Sequence, residues 1–298
     1  MTPYARPVQI ADALALLARG YVPIAGGTDY YPARVAQPIT DALLDLSAIS
    51  SLRGITKQIT KQITKQSGAN DSQTVIGALT TWTDCLNRPL PKVLDALVHA
   101  SKQIGGWQIQ NRATLGGNLC NASPAADGTV ALLALNAQVT LISLNADQRD
   151  GRLVERSLPI DQFVLGNRHT ARLPHELLSV ITIPHYSERA KSVFLKLGGR
   201  QYLVISIVMV AVLIDTDAQG RVIRCAIAVG ACNRAAVRLT TLEQALINTP
   251  VAKVSALAKQ RLPLALDALQ PIDDVRGSAT YRRHAAAVLI QQAIEQCL

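Results

Sequence analysis

The longest apolar run in the sequence, Leu203 to Ile214, sets the first limit on the fold. Ser206 interrupts it, and it falls short of the roughly 20 apolar residues that a membrane-spanning helix needs. The run is therefore expected to be hidden inside a water-soluble body. With its flanks it reads SVFLKLGGRQYLVISIVMVAVLID, and RVIRCAIAVGACN follows closely. These segments read as paired strands and a helix. Of the 298 residues, 49% are hydrophobic, enough for a sizeable core. A mean hydropathy of +0.19 argues against disorder in bulk.

Strand and helix signals are mixed along the chain without a regular βαβ rhythm, so the fold class expected is α+β. Pro7 to Arg19 places Ile10, Ala13, Leu14 and Leu17 on one helical face, with Gly20 as a stop. YVPIAGGTDYYP reads as a short strand entering a glycine turn, and DALLDLSAI as a short strand or a turn of helix. TVIGALTTWTD reads as a strand and then a helix start capped by Thr or Asp. Leu90 to Ile104 reads as helix, GGWQIQNRATLGGN as turns, and Thr129 to Ala137 as helix. Strands are expected at Gln138 to Leu144, Leu153 to Leu158 and Glu176 to Pro184, with a loop or short helix from Ile160 to Val164. HYSERAK, after Pro184, is the expected boundary between residues 1–184 and 185–298. The tetrapeptide ITKQ occurs three times between Ile55 and Gln66. Three copies are too few for a solenoid, and the repeat reads as a lengthened exposed hairpin whose lysines discourage edge pairing.

Several function classes fit the composition poorly. The net charge of +9 suits nucleic acid, an anionic ligand or a partner surface. The basic residues are scattered, however, and two Phe and two Trp offer few stacking platforms, so nucleic acid is not expected. The cysteines, Cys85, Cys120, Cys225, Cys232 and Cys297, form no C-x-x-C pair. No iron–sulfur cluster or structural zinc is expected, and packing in a reducing compartment is the simpler reading. MTPYARPVQIADALALLARG has no signal-peptide architecture, since Asp12 breaks its apolar stretch. A cytoplasmic location without membrane insertion is expected.

Two glycine segments carry the chemistry. AGGTD spans Ala25, Gly26, Gly27, Thr28 and Asp29, and TLGGN spans Thr114, Leu115, Gly116, Gly117 and Asn118. Glycine lets backbone N–H groups approach a ligand, and successive N–H groups make a nest for phosphate oxygens. Thr28 and Thr114 add hydroxyls. Neither segment is G-x-G-x-x-G or a P-loop, so neither a Rossmann nor a Walker site is supported. Each remains open to the plainer reading of a turn. Asp127 is open to two roles, accepting from sugar hydroxyls or capping the helix at Thr129.

IAGGTD and RATLGGNLCNASPAAD resemble the FAD-binding medium subunits of the molybdenum hydroxylase family, the group that includes xanthine-dehydrogenase-like and carbon-monoxide-dehydrogenase-like enzymes. ELLSVITIP, FLKLGGRQYLVIS and YRRHAAAVL resemble later segments of the family, so the likeness covers nearly the whole chain. It implies a two-part FAD-binding domain of the vanillyl-alcohol-oxidase-like type, with a break near 54–66, and a smaller α+β C-terminal domain. It also implies that Ala25, Gly26, Gly27, Thr28 and Asp29 wrap the FAD diphosphate. Ala113, Thr114, Leu115, Gly116, Gly117 and Asn118 then form a second wall. By the same likeness Asp127 bonds the sugar or ribityl region and Leu178 sits near the ring. Lys196 lies at the ring as the residue closest to catalysis, where a cation would stabilise reduced flavin. The plainer reading of Lys196 is a surface lysine. Ile104 stands where some relatives carry an aromatic, and GRQYLVIS lacks an acid that relatives often carry after the arginine.

The resemblance implies an oxidoreductase component with non-covalent FAD and no metal of its own. Molybdopterin would reside in a large partner subunit and [2Fe–2S] clusters in a small one, in a heterotrimer or a dimer of heterotrimers. Electrons would pass from the clusters to FAD and on to an external acceptor. Two alternatives stand beside it. One is a stand-alone flavin-dependent oxidoreductase, for which His169, His175 and His185 offer no clear catalytic pair. The other is a non-catalytic nucleotide-binding module, which loss of FAD binding would favour.

Overall fold

A computed structural model describes residues 3–59, 72–145 and 152–298. The first part holds strand β1 (Tyr4–Ala5), helix α1 (Ile10–Ala18), β2 (Val22–Ile24) and β3 (Leu43–Asp45), which form a small parallel sheet in the order β1-β3-β2. Ala13, Leu14 and Leu17 of α1 are buried with Leu44, Leu46 and Ile49 beneath them. This is the face that the 3.6-residue period marked.

A second, antiparallel sheet is built from more distant segments. Its strands are β4 (Ile55–Ile59) and β5 (Ser72–Gly77), followed after four helices and a fifth by β6 (Gln138–Leu144) and β7 (Leu153–Pro159). The helices are α2 (Trp82–Leu86), α3 (Asp95–Gln103), α4 (Trp107–Arg112), α5 (Leu115–Asn121) and α6 (Asp127–Ala134). Then come α7 (Ile160–Phe163), the two-stranded pair β8 (Val164–Gly166) and β9 (His169–Thr170), and β10 (Leu177–Ile183). The sheet order is β4-β5-β10-β6-β7, so β10 enters between strands laid down earlier. Thr81 caps α2 in a reciprocal box with Asp84, as the Thr and Asp of TTWTD predicted. The start of the ITKQ repeat is β4, paired antiparallel with β5; the remainder, from residue 60, lies outside the described residues.

The third sheet explains the apolar run. Its strands β11 (Lys191–Leu197), β12 (Val208–Thr216), β13 (Val222–Gly230) and β14 (Val237–Arg238) pair in chain order, all antiparallel. Met209, Ala211 and Leu213 of β12 face a core shared with α3 and α6, whereas Val208, Val210, Val212 and Ile214 face the opposite core. Helices α8 (Thr240–Leu246), α9 (Val251–Ala265) and α10 (Ala279–Cys297) close that second side. Side chains alternate along a strand, so a strand covered on both faces needs apolar residues at every position. The helix expected within residues 192–233 is replaced by strands. The first residues of the run, Leu203 and Ile205, are exposed, and the strand begins only at Val208.

Candidate functional site

The AGGTD loop leaves the end of β2. A Cβ built on Gly26 would overlap the Arg112 carbonyl and stand 2.9 Å from the Ala113 nitrogen. Only a glycine allows this approach, and it brings the two glycine segments together. Gly27 has φ +68°, in the left-handed region, with the Tyr31 ring against it. The N–H groups of Gly26, Gly27, Thr28 and Asp29 find no acceptor among the described residues. Four successive open donors offer hydrogen bonds to anionic oxygens. The Arg112 side chain is exposed beside this seam and has no bonding partner among the described residues.

TLGGN differs from the turn expected of it, because it forms the start of α5. Thr114 is the N-cap, and its Oγ1 accepts from the Gly117 N–H at 3.0 Å. Leu115 N–H donates to the Thr80 carbonyl, Gly116 N–H to the Ala78 carbonyl, and Asn118 N–H to Thr114. Ala113 N–H is used at the end of α4. These donors are committed to protein acceptors, so the second segment offers a packed wall rather than a nest. Gly116 is glycine because a Cβ would lie 2.7 Å from Ala78 Cβ. Its open chemistry lies instead in side chains. Asn118 Oδ1 is buried without a hydrogen-bond partner, as are Trp82 Nε1 and Thr129 Oγ1. Gly128 joins Asn118 to Trp82, since a Cβ there would meet Asn118 Oδ1 at 2.8 Å and overlap the indole. Buried polar atoms of this kind call for a partner.

Asp127 is the first residue of α6 and makes no capping bond, because Ala126 holds the cap position. Its carboxylate accepts from Lys196 Nζ at 2.6 Å and from Ser206 Oγ at 2.6 Å. Lys196 also donates to the Gln103 carbonyl at 3.4 Å. Both side chains of the ion pair are only 5% exposed, which corrects the surface reading of Lys196. Burial pushes the Asp127 carboxyl above its usual range, against the opposing pull of Lys196 and Ser206. Ser206 has no site motif around it in the sequence, and its one signal is that it is the polar break in the apolar run. Leu178, 7% exposed in β10, pairs with Leu141, and its neighbour Ser179 is linked to TLGGN by a relay. Ala78 N–H donates to the Ser179 carbonyl, and the Ala78 carbonyl accepts from Gly116.

The cysteines play no visible part in this seam. All five are free, and burial pushes Cys120 up to about 11 and Cys85 up to about 12, which suits packing. The site is thus a strip running from open donors at Gly26–Asp29, past Ala113 and Asn118, to the Asp127–Lys196 pair. It offers donors for an anion, orphaned atoms suited to hydroxyls, and one buried cation.

Residues 1–186 match the family described as the FAD binding domain in molybdopterin dehydrogenase, and residues 194–297 match the CO dehydrogenase flavoprotein C-terminal domain. The chain is 28% identical to subunit alpha of the 6-hydroxypseudooxynicotine dehydrogenase complex of Paenarthrobacter nicotinovorans, over 97% of this chain and 92% of that protein. It is 27% identical to the carbon monoxide dehydrogenase medium chain of Hydrogenophaga pseudoflava, over 98% of this chain and 95% of the other. A structure of reconstituted CO dehydrogenase from Oligotropha carboxidovorans contains a chain that superposes with a TM-score of 0.84 at 26% identity, covering 100% of this chain and 97% of that one. The α+β architecture expected from the mixed strand and helix signals and the oxidoreductase family inferred from IAGGTD and RATLGGNLCNASPAAD are therefore upheld: the chain belongs to the family of FAD-binding domains of molybdopterin dehydrogenases.

Proposed function

We propose that this chain is the FAD-carrying electron-transfer subunit of a multi-subunit molybdenum hydroxylase. The observation that carries the reading is the row of unpartnered N–H groups at Gly26–Asp29, set by the Gly26 contact beside the TLGGN wall. FAD is a dinucleotide with a diphosphate, sugar hydroxyls and a flat ring, and the donor set suits it. Ala25, Gly26, Gly27, Thr28 and Asp29 would hold the diphosphate, with Arg112 as a nearby cation. Ala113, Thr114, Leu115, Gly116 and Gly117 would back the cofactor, and Asn118 Oδ1 would accept from a hydroxyl. Asp127 would address the ribityl region with Ser206 fixing its carboxylate, Leu178 would lie toward the ring, and Lys196 would place positive charge near it. When bound, the flavin supplies one- and two-electron redox chemistry. This chain's part is to bind it, orient it and hold charge beside it.

The relatives named above are a subunit of a complex and a medium chain. By that likeness the chain would join a large molybdopterin-binding subunit and a small [2Fe–2S] subunit in the cytoplasm, as a heterotrimer or its dimer. Residues 1–184, with an internal break near 54–66, would form the flavin domain, and 185–298 the C-terminal one. Among the described residues no helix is long and apolar enough to cross a membrane. The test is the visible spectrum and extracted flavin of the purified chain, followed by co-purification of partners. One FAD per chain, lost in Gly117→Val while that variant stays soluble, supports the reading. A colourless chain that ignores added FAD overturns it.

A further inference from the structure

The AGGTD loop has no secondary structure of its own to hold its donors, and the chain beyond it makes a long excursion before β3. That excursion is clasped at its base by three residues that the flavin reading leaves unassigned. Tyr30 donates its phenol proton to Asp41 Oδ2 at 2.5 Å. Arg34 Nη2 donates to the same oxygen at 2.9 Å, and Nη1 donates to the Tyr30 carbonyl at 3.2 Å. The guanidinium carbon lies 3.7 Å from the centroid of the Tyr30 ring, within stacking range. One planar cation thus ties the residue just after the loop to the residue that leads into β3.

The clasp reaches the loop itself by short links. Tyr31 N–H donates to the Gly27 carbonyl at 3.1 Å, and Ala33 N–H to the Asp29 carbonyl at 3.3 Å. The Tyr31 ring covers the face of Gly27 and meets Tyr30 edge-on at 5.3 Å. The Gly27 and Asp29 carbonyls are therefore occupied by the backbone of Tyr31 and Ala33, which lie between clasp residues Tyr30 and Arg34, whereas the N–H groups of the loop carry no bond to a described residue. Arg34 and Asp41 side chains are 33% and 29% exposed, so their attraction is only partly screened.

We propose that the Tyr30–Arg34–Asp41 clasp is a positioning device that preorganises the Gly26–Asp29 N–H groups for a dinucleotide diphosphate. It rests on the reading that FAD binds at this loop. None of the three residues touches the ligand; they act by holding Tyr31 and Ala33, whose N–H groups donate to the Gly27 and Asp29 carbonyls. Arginine is needed because its plane stacks on Tyr30 while its fork reaches a carboxylate and a carbonyl together, and lysine offers no such plane.

The experiment compares full-length wild type with Arg34→Gln, Arg34→Lys and Tyr30→Phe, each stripped of FAD. FAD affinity is read by fluorescence titration, thermal unfolding on the stripped proteins, and amide exchange of residues 25–31 with and without FAD. Both Arg34 variants should bind FAD about tenfold more weakly, the equivalent of 1.4 kcal/mol, and Tyr30→Phe less so. Their stripped forms should melt within about 2 °C of wild type. The FAD-dependent protection of residues 26–29 should shrink in step. Affinity within twofold of wild type, full rescue by Arg34→Lys, or a loss of affinity matched by a falling melting temperature overturns the clasp. A wild-type protein that binds FAD without protecting these amides overturns the loop assignment instead, and the clasp with it.

Discussion

Replacing Lys196 by Met gives the sharpest test of the candidate site. The ammonium is 5% exposed and holds an equally buried carboxylate at 2.6 Å. Removing one partner of such a pair leaves an uncompensated buried charge, which costs about 3–5 kcal/mol. At about 2–4 °C per kcal/mol, the FAD-stripped variant should melt about 6–20 °C below wild type at neutral pH. The loss should shrink in acid. Burial already raises the Asp127 pKa, so the folded state holds that proton more tightly than the unfolded chain does. The stabilisation from that proton is complete below the unfolded value of about 3.9 and disappears as pH rises through the folded value. Without Lys196 the folded value rises further, so the penalty should grow with pH across that wider window. Lys196→Met with Asp127→Asn, which removes both charges, should recover part of the loss. Calorimetry of the stripped proteins across pH decides it. A single variant melting within about 3 °C of wild type at neutral pH, roughly 1 kcal/mol, would refute a buried, charged pair here.

Gly26→Ala should separate the two glycine segments, because its Cβ would overlap the Arg112 carbonyl; the expected readout is weaker FAD retention together with a lower melting temperature, and an unchanged protein would refute the contact. Thr114→Ala removes the α5 cap and should cost about 1 kcal/mol in denaturant unfolding; no change in midpoint would mean the Gly117 N–H is satisfied otherwise. Glu176 is bound by Arg156 through two hydrogen bonds of 2.6 and 2.8 Å, and its carboxyl is held below the usual range by Arg156 and the Leu173 N–H, against burial. Its contribution is present above the unfolded pKa and lost as pH falls through the folded value. Glu176→Gln should therefore lose stability at neutral pH and show a flatter acid limb than wild type, and an identical acid limb would exclude this pair.

Much of the local structure was legible because it rests on local chemistry. The face of α1, the Thr81–Asp84 cap and the strand at Gln138–Leu144 follow from period, capping residues and β-propensity, which are short-range properties. TLGGN was misread for the opposite reason. Adjacent glycines favour turns, yet Gly116 is required by Ala78 across the fold, and Thr114 converts the segment into a helix start. Asp127 is open in sequence to a cap or to a hydroxyl-accepting role, and its partners Lys196 and Ser206, which lie far along the chain, are visible only in the fold.

The sequence by itself determined the family, the glycine segments and the concealment of the long apolar run, because motif chemistry and hydrophobic content are written residue by residue, whereas the burial of β12 on both faces came from the structure. Only the tertiary structure decided which glycine segment keeps its donors open. That depends on which acceptors other segments bring within reach: Thr80 and Ala78 satisfy Leu115 and Gly116, and no described residue accepts from the N–H groups of Gly26–Asp29. It also decided that Lys196 is buried, since the burial of one side chain is set by α3, α6 and the β11–β12 connection closing around it.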